Sequence, residues 1–295
     1  MRYFVGIDGG GTRTTLGIAD ESGRELVRRV GPAGLVDPLQ PAETAKLLVE
    51  LTKEAAASAS LDGPAAALCA GLAGVGNPAD RALVEATFVG SGVADRVAII
   101  TDGEAALLGA LGDDPGILVI AGTGSVAYGR GEDGRTARCG GWGMILGDEG
   151  SGYEVGRAGL RAALMAADGR GPRTQLLHVL PDVLGIRSIE ELPSWVARAE
   201  KSEVAKLAPH VLRLAEGGDA AAREIVVAAA LDLALHVDAL MDRLGPWSQP
   251  PAVVLHGGFA RDPLFSPHLA GVLRNRPRSV RLTEPAADPV TGALA

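Results

Sequence analysis

An aspartate followed by three glycines and a threonine stands near the start of the chain: Asp8, Gly9, Gly10, Gly11 and Thr12. Successive glycines let backbone N–H groups turn inward around phosphate oxygens. The Thr12 hydroxyl adds a donor. Asp8 ends an apolar run, where a carboxylate can hold Mg²⁺ through water, since that ion keeps several of its waters. A second glycine turn, Gly122, Thr123, Gly124 and Ser125, can clamp the same phosphates. The competing reading is a pair of tight hairpin turns with no ligand. Two such turns at matching places favour phosphate. Neither is a Walker A loop, because no G-x-x-x-x-G-K-[ST] occurs. Neither is a dinucleotide fingerprint, because a strand follows where a helix is needed.

Asp102 ends another apolar run, between the two glycine turns in sequence. A carboxylate there suits a general base that takes the proton of a substrate hydroxyl during phosphoryl transfer. Aspartate also caps helices, and on local grounds a cap for the helix expected from residue 104 is favoured. A third segment, residues 140–151, reads Gly-Gly-Trp-Gly-Met-Ile-Leu-Gly-Asp-Glu-Gly-Ser. Its carboxylates, Asp148 and Glu149, can accept hydroxyl hydrogen bonds from a sugar, and the Trp142 indole can pack on the sugar's apolar face. The alternatives are Trp142 in the core and the two acids at the start of the following helix. His178, His210, His236, His256 and His268 are scattered without metal-ligand spacing. Cys69 lies in an apolar run and Cys139 borders the Trp142 segment; packing is the simpler role for both.

Strands are expected at 3–7, 14–19 and 25–30, forming a meander around the first glycine turn. A helix over 42–59, a strand over 65–72, a helix over 77–89 capped by Asn77 with Pro78 at its first position, and a strand over 97–101 follow. A short helix over 104–111 comes next. The opening pattern then returns, with strands at 116–121 and 126–130 flanking the second turn. Aligning Ile7 with Ile120 superposes the glycine turns, which is the signature of a duplicated unit. Residues 153–168 and most of 174–244 read as helical, with loops near Pro181 and Gly217-Gly218. Strands over 252–255 and 280–282 close the list. The order predicts an α/β protein of two domains, 1–112 and 113–295, packed around a cleft.

The 295 residues include 47% hydrophobic and 22% charged, which excludes disorder as the dominant state. The formal charge of −8 argues against general nucleic-acid binding. Only Lys46, Lys53, Lys201 and Lys206 are lysines, a bias that says little about mechanism. Glycine is the informative excess, at 41 residues, about twice the ~7% average. Two cysteines cannot build a disulfide framework. The longest apolar stretch, near 65–76, is shorter than the ~20 residues that span a bilayer. No leader pattern opens the chain, so the expectation is a cytoplasmic protein without a membrane partner.

The motifs at 8–14, 101–102, 122–125, 140–151 and 256–258 stand in the order of the actin/hexokinase/chaperone ATPase superfamily. Residues 139–151 resemble the N-acetylglucosamine kinase branch of the BadF/BadG/BcrA/BcrD ATPase family, which also includes activators of 2-hydroxyacyl-CoA dehydratases. The resemblance implies two ribonuclease-H-like domains that close over ATP-Mg²⁺ and a small-molecule amino sugar. Asp8, which would hold the metal, and Gly9, Gly10, Gly11 and Thr12 would form the first phosphate loop, and Gly122, Thr123, Gly124 and Ser125 the second. Asp102 would be the catalytic base for the 6-hydroxyl, overriding the local preference for a cap. Gly141, Trp142, Gly143 and Asp148 would line the sugar site with Asp102. Gly218, Gly257 and Gly258 would border the adenosine. A homodimer is compatible with the resemblance.

Two departures stand out: Thr101 replaces the usual Asn before the catalytic Asp, and the 31–35 loop lacks the expected sugar-contacting Asn. The C-terminal element is expected to be shortened. The first reading is an N-acetylglucosamine kinase. The alternatives are a glucosamine or N-acetylmuramic acid kinase, an iron–sulfur ATPase activator of a dehydratase, and a sugar sensor without turnover.

Overall fold

Tyr3, Val5 and Ile7 alternate along the first strand and are almost wholly buried, as expected of side chains at spacing two on a core-facing strand. The structure is a computed structural model that describes residues 1–11 and 13–294. It divides into two compact units, Met1–Asp114 with Pro285–Ala295, and Pro115–Glu284.

In the first unit, β1 (Tyr3–Gly9), β2 (Thr14–Asp20) and β3 (Glu25–Gly31) form the antiparallel meander. Then come α1 (Pro41–Ser58), β4 (Ala67–Leu72), α2 (Pro78–Ser91), β5 (Val97–Thr101) and α3 (Asp102–Leu111). The sheet order is β3-β2-β1-β4-β5, with β4 parallel to both β1 and β5. Asn77 caps α2 by accepting the Ala79 N–H, with Pro78 in the first turn. The parallel strands β1, β4 and β5 end together at Gly9, Leu72 and Thr101, so the turns after them meet at one sheet edge, the usual place for a ligand in α/β folds.

The second unit repeats the plan. It contains β6 (Gly116–Ala121), β7 (Ser125–Arg130), β8 (Thr136–Gly140), α4 (Gly143–Leu146), α5 (Gly152–Ala167) and α6 (Leu176–Leu184). It continues through α7 (Leu192–Val196), α8 (Lys201–Ala205), α9 (Ala208–Glu216), α10 (Ala220–Leu244), β9 (Ala252–His256), α11 (Ser266–Arg274) and β10 (Arg281–Thr283). The sheet order, β10-β9-β6-β7-β8, mirrors the first: a meander, then two parallel strands beside its first strand. Both units therefore have the ribonuclease-H-like α/β topology. Pro181 lies inside α6, not in a loop; it is buried there and the helix runs past it.

The chain ends in α12 (Pro289–Leu294), which packs on α3 and β1. Residues 285–295 thus return to the first unit, unlike the expected second domain of 113–295. Missing side chains make the docking site. A Cβ on Gly6 would come within 2.7 Å of the Val290 carbonyl, and one on Gly17 within 2.7 Å of Val290 Cγ1. Where α12 meets α3, a Cβ on Gly292 would stand 2.2 Å from the Gly109 nitrogen. A glycine pair permits this backbone approach. Among the described residues, no helix is long and apolar enough to cross a membrane.

Candidate active site

Asp8 is the penultimate residue of β1, just before the first glycine turn. The turn closes through the Gly10 N–H donating to the Arg13 carbonyl, and the Gly34 N–H donates to the Gly10 carbonyl. The 31–35 loop therefore lies directly on the turn: a Cβ on Gly34 would stand 2.7 Å from Gly9 Cα and 2.6 Å from Thr14 Oγ1. Gly11 faces open space. Thr12 lies outside the described residues. Burial, then the charges of Asp102 and Asp288, pushes the Asp8 pKa up to about 6 against the pull of Arg13.

Asp102 is the first residue of α3 and does not cap it. The cap is Thr101, whose Oγ1 accepts the Glu104 N–H, while the Thr101 N–H donates to Glu104 Oε2. This corrects the local preference for Asp102 as the cap. A capping box needs Ser or Thr at the cap with Glu three residues later, and the sequence carries that spacing. Burial is the main cause that raises the Asp102 pKa; the Gly103 N–H on Oδ1 only partly offsets it. The approach of α3 depends on Gly71 of β4, where a Cβ would stand 2.3 Å from Ala105 Cβ.

Asp288 enters this group from the α12 end of the chain. Burial opposes its ionisation, but hydrogen bonds from Thr291 and Arg28 prevail and hold its pKa low. It is thus a fixed negative charge acting on Asp8. Among the described residues, no three His, Cys, Asp or Glu side chains are grouped so as to hold a metal directly.

In the second unit, the turn at 122–125 closes through the Gly122 N–H to the Gly124 carbonyl. The start of α5 backs it: the Gly152 N–H donates to the Gly122 carbonyl and the Tyr153 N–H to the Thr123 carbonyl. Ser125 Oγ donates to the Glu149 carbonyl at 2.6 Å. The α5 cap is Ser151, so Asp148 and Glu149 precede the helix and do not form its acidic first turn. Asp148 has φ +65°, is 3% exposed, and accepts the Ser125 N–H on Oδ1 at 3.0 Å. Its carboxylate therefore lies behind the glycine turn. Gly257, at φ +92°, folds against the Ala121 carbonyl, 2.5 Å from where its Cβ would be, while Gly258 faces open space. The turn after β9 thus lies beside the start of the 122–125 turn. Gly218, at φ +98°, makes the turn between α9 and α10, a conformation that calls for glycine whatever ligand lies near.

Trp142 is not in the core. It is 66% exposed, with the Arg138 guanidinium 4.7 Å from its ring centroid. Gly140, Gly141 and Gly143 around it all take positive φ, a backbone conformation that favours glycine. Met144, Ile145 and Leu146 of α4 are exposed beside it.

Residues 5–295 match the BadF/BadG/BcrA/BcrD ATPase family. The chain belongs to this family. It is 34% identical over 262 residues to an N-acetylmuramic acid/N-acetylglucosamine kinase of Clostridium acetobutylicum, covering 88% of this chain and 85% of that one. It is 31% identical to an N-acetyl-D-glucosamine kinase of Dictyostelium discoideum, covering 98% and 96%. A Chromobacterium violaceum structure, provisionally assigned as an N-acetylglucosamine kinase, superposes with a TM-score of 0.81 at 31% identity, covering 100% and 98%. Membership makes ATP the nucleotide of this ATPase-family chain and bears out the resemblance drawn from its motifs.

Asp288 and Lys201 are parts of the two sites that the motifs did not reveal, and Thr14, inside the first motif, was given no role of its own. Thr14 is fully buried and its hydroxyl lacks a hydrogen-bond partner among the described residues. Lys201 lies 2.6 Å from Asp148 Oδ2. Only the chain's return from distant segments places Asp288 and Lys201; the one available signal was an Asp or Lys beside a helix start.

Proposed function

We propose that this chain is an ATP-dependent kinase for the 6-hydroxyl of an amino sugar, with N-acetylglucosamine as the first assignment. The observation that carries the reading is Asp102: a carboxylate at a strand end, relieved of capping by Thr101 and rendered more basic by burial. The kinase names of the relatives support the same class.

In this reading the sugar's O6 attacks the γ-phosphorus, the bond to the β,γ-bridging oxygen breaks, and ADP leaves. Asp102 takes the hydroxyl proton as the new bond forms. The turns at 8–12 and 122–125 bind phosphate through backbone N–H groups, with Gly218, Gly257 and Gly258 toward the adenosine. Asp8 fits a hydrated Mg²⁺: it is a hard oxygen donor, buried, and burdened by two further carboxylates that a cation would relieve. Bound there, Mg²⁺ would neutralise phosphate charge. Gly141, Trp142, Gly143 and Asp148 take the sugar, with the exposed indole on its apolar face.

The cysteines favour the kinase over the iron–sulfur activator. Cluster ligands must be accessible thiolates, but Cys69 lies within β4 and Cys139 within β8, strands of two different sheets, and neither is on an exposed loop.

The test is a coupled ADP-release assay with ATP-Mg²⁺ against N-acetylglucosamine, glucosamine, N-acetylmuramic acid, N-acetylmannosamine and glucose. Turnover with an amino sugar well above the sugar-free rate is expected. Sugar-independent hydrolysis alone would return the activator reading, and sugar binding without turnover the sensor reading.

A further inference from the structure

Lys201 opens α8, far in sequence from every phosphate or sugar motif. Its ammonium lies 2.6 Å from Asp148 Oδ2. A Cβ on Gly124 would stand 2.7 Å from that ammonium and 2.5 Å from Asp148 Oδ1. The cation is thus against the 122–125 turn, at a residue where any side chain would displace it. The two ends of the pair differ. The Lys201 side chain keeps 31% of its surface exposed, and that of Asp148 only 5%. Asp148 Oδ1 is tied to the Ser125 N–H. Oδ2 is buried and receives no aligned hydrogen bond among the described residues, so its contact with Lys201 is a charge pair, not a directed bond. The lysine can swing on its flexible stem, whereas the carboxylate is fixed.

We propose that Lys201 is a further phosphate ligand: its ammonium rests on Asp148 without nucleotide and turns to a phosphate of ATP seated on the 122–125 turn. This rests on the kinase reading. A triphosphate end carries more charge than one carboxylate and offers several oxygens to a cation that has, among the described residues, one poorly aligned partner. The turn away frees Asp148 Oδ2 to accept a sugar hydroxyl while Ser125 still orients Oδ1. One carboxylate then couples nucleotide affinity to sugar affinity, and the coupling is reciprocal.

The test is calorimetric binding of ATP and AMP to the full chain without sugar. Wild type is compared with Lys201→Gln and with Lys201→Gln/Asp148→Asn, which removes the buried charge left unpaired in the single variant. Loss of one charge-assisted phosphate contact weakens ATP about 10- to 100-fold in both variants. AMP, which lacks the outer phosphates, keeps its affinity within about twofold. A non-hydrolysable ATP analogue tightens N-acetylglucosamine binding to wild type but not to Lys201→Gln. Unchanged ATP affinity in the double variant, or an equal loss for ATP and AMP, overturns the role of Lys201 alone. A wild type that binds no adenine nucleotide overturns the kinase reading and this inference with it.

Discussion

Thr101 and Glu104 hold each other across the first turn of α3. The Glu104 N–H donates to Thr101 Oγ1 at 3.1 Å, and the Thr101 N–H donates to Glu104 Oε2 at 2.7 Å. Asp102 lies between them in sequence, positioned by the cap but not used in it. Its one described hydrogen bond is from the adjacent Gly103 N–H to Oδ1, which an amide oxygen can also accept, so the carboxylate can be neutralised without unfolding the helix. Asp102→Asn is expected to lower kcat by about 10²- to 10⁴-fold, the range of general-base catalysis. The urea midpoint and ATP affinity should stay near wild type. Turnover near wild type would remove Asp102 from the chemistry.

Asp8 gives the first unit a pH signature. Its folded pKa is about 6, against 3.8 for an ordinary aspartate. Between those values the folded chain holds a proton that the unfolded chain has released. The Asp8 contribution to stability is therefore fully present below about pH 4 and is lost as pH rises through 6. Asp8→Asn removes this penalty, so the variant should gain stability over wild type at pH 7, by up to about 3 kcal/mol. No such gain should appear at pH 4. Denaturant melts at the two pH values measure it, and an equal difference at both would show an ordinary carboxyl. In the metal-free chain Asp8 takes up a proton below pH 6, so kcat/KM for Mg-ATP, which reports the free enzyme, should fall there.

The repeated glycine turns were legible because each follows an apolar strand and precedes another, a purely local pattern. Ile7 and Ile120 mark the same place in two sheets of the same strand order. Asp102 was legible locally as a strand-end carboxylate, and as a base only through the family resemblance; the local choice between base and cap turns on the capping-box spacing of Thr101 and Glu104. Trp142 was ambiguous because indole belongs equally to cores and to sugar sites; the fold leaves it 66% exposed among three glycines of positive φ. Asp288 and Lys201 were illegible. Nothing near either residue in sequence announces that α12 returns to the first sheet, or that α8 meets the 122–125 turn.

The return of α12 makes its own prediction. A Cβ on Gly292 meets backbone on the other side: the Gly109 nitrogen at 2.2 Å and the Ala105 carbonyl at 2.6 Å. Backbone cannot rotate away as a side chain can, so Gly292→Ala should destabilise by about 1–3 kcal/mol. Gly271→Ala in α11 is the control, because nothing lies within 4 Å of its added Cβ. There the better helix former should be neutral or stabilising by up to about 1 kcal/mol. Urea titrations of both variants separate crowding from propensity, and equal effects would show that α12 docks loosely.

Trp142 offers the cleanest separation of binding from folding. The indole is 66% exposed, and its one described ring contact is the Arg138 guanidinium at 4.7 Å. Removing it should leave stability within about 0.5 kcal/mol, as for surface substitutions. An exposed indole beside exposed Ile145 and Leu146 keeps apolar surface in water, which a sugar's apolar face would cover. Trp142→Ala should therefore raise the sugar KM about 10-fold while the ATP KM stays unchanged. Trp142→Phe, which keeps a ring, should fall between. The split between the two KM values is the deciding readout. A variant with an unaltered sugar KM would place the sugar elsewhere and leave the 140–146 segment as an exposed apolar surface without a substrate.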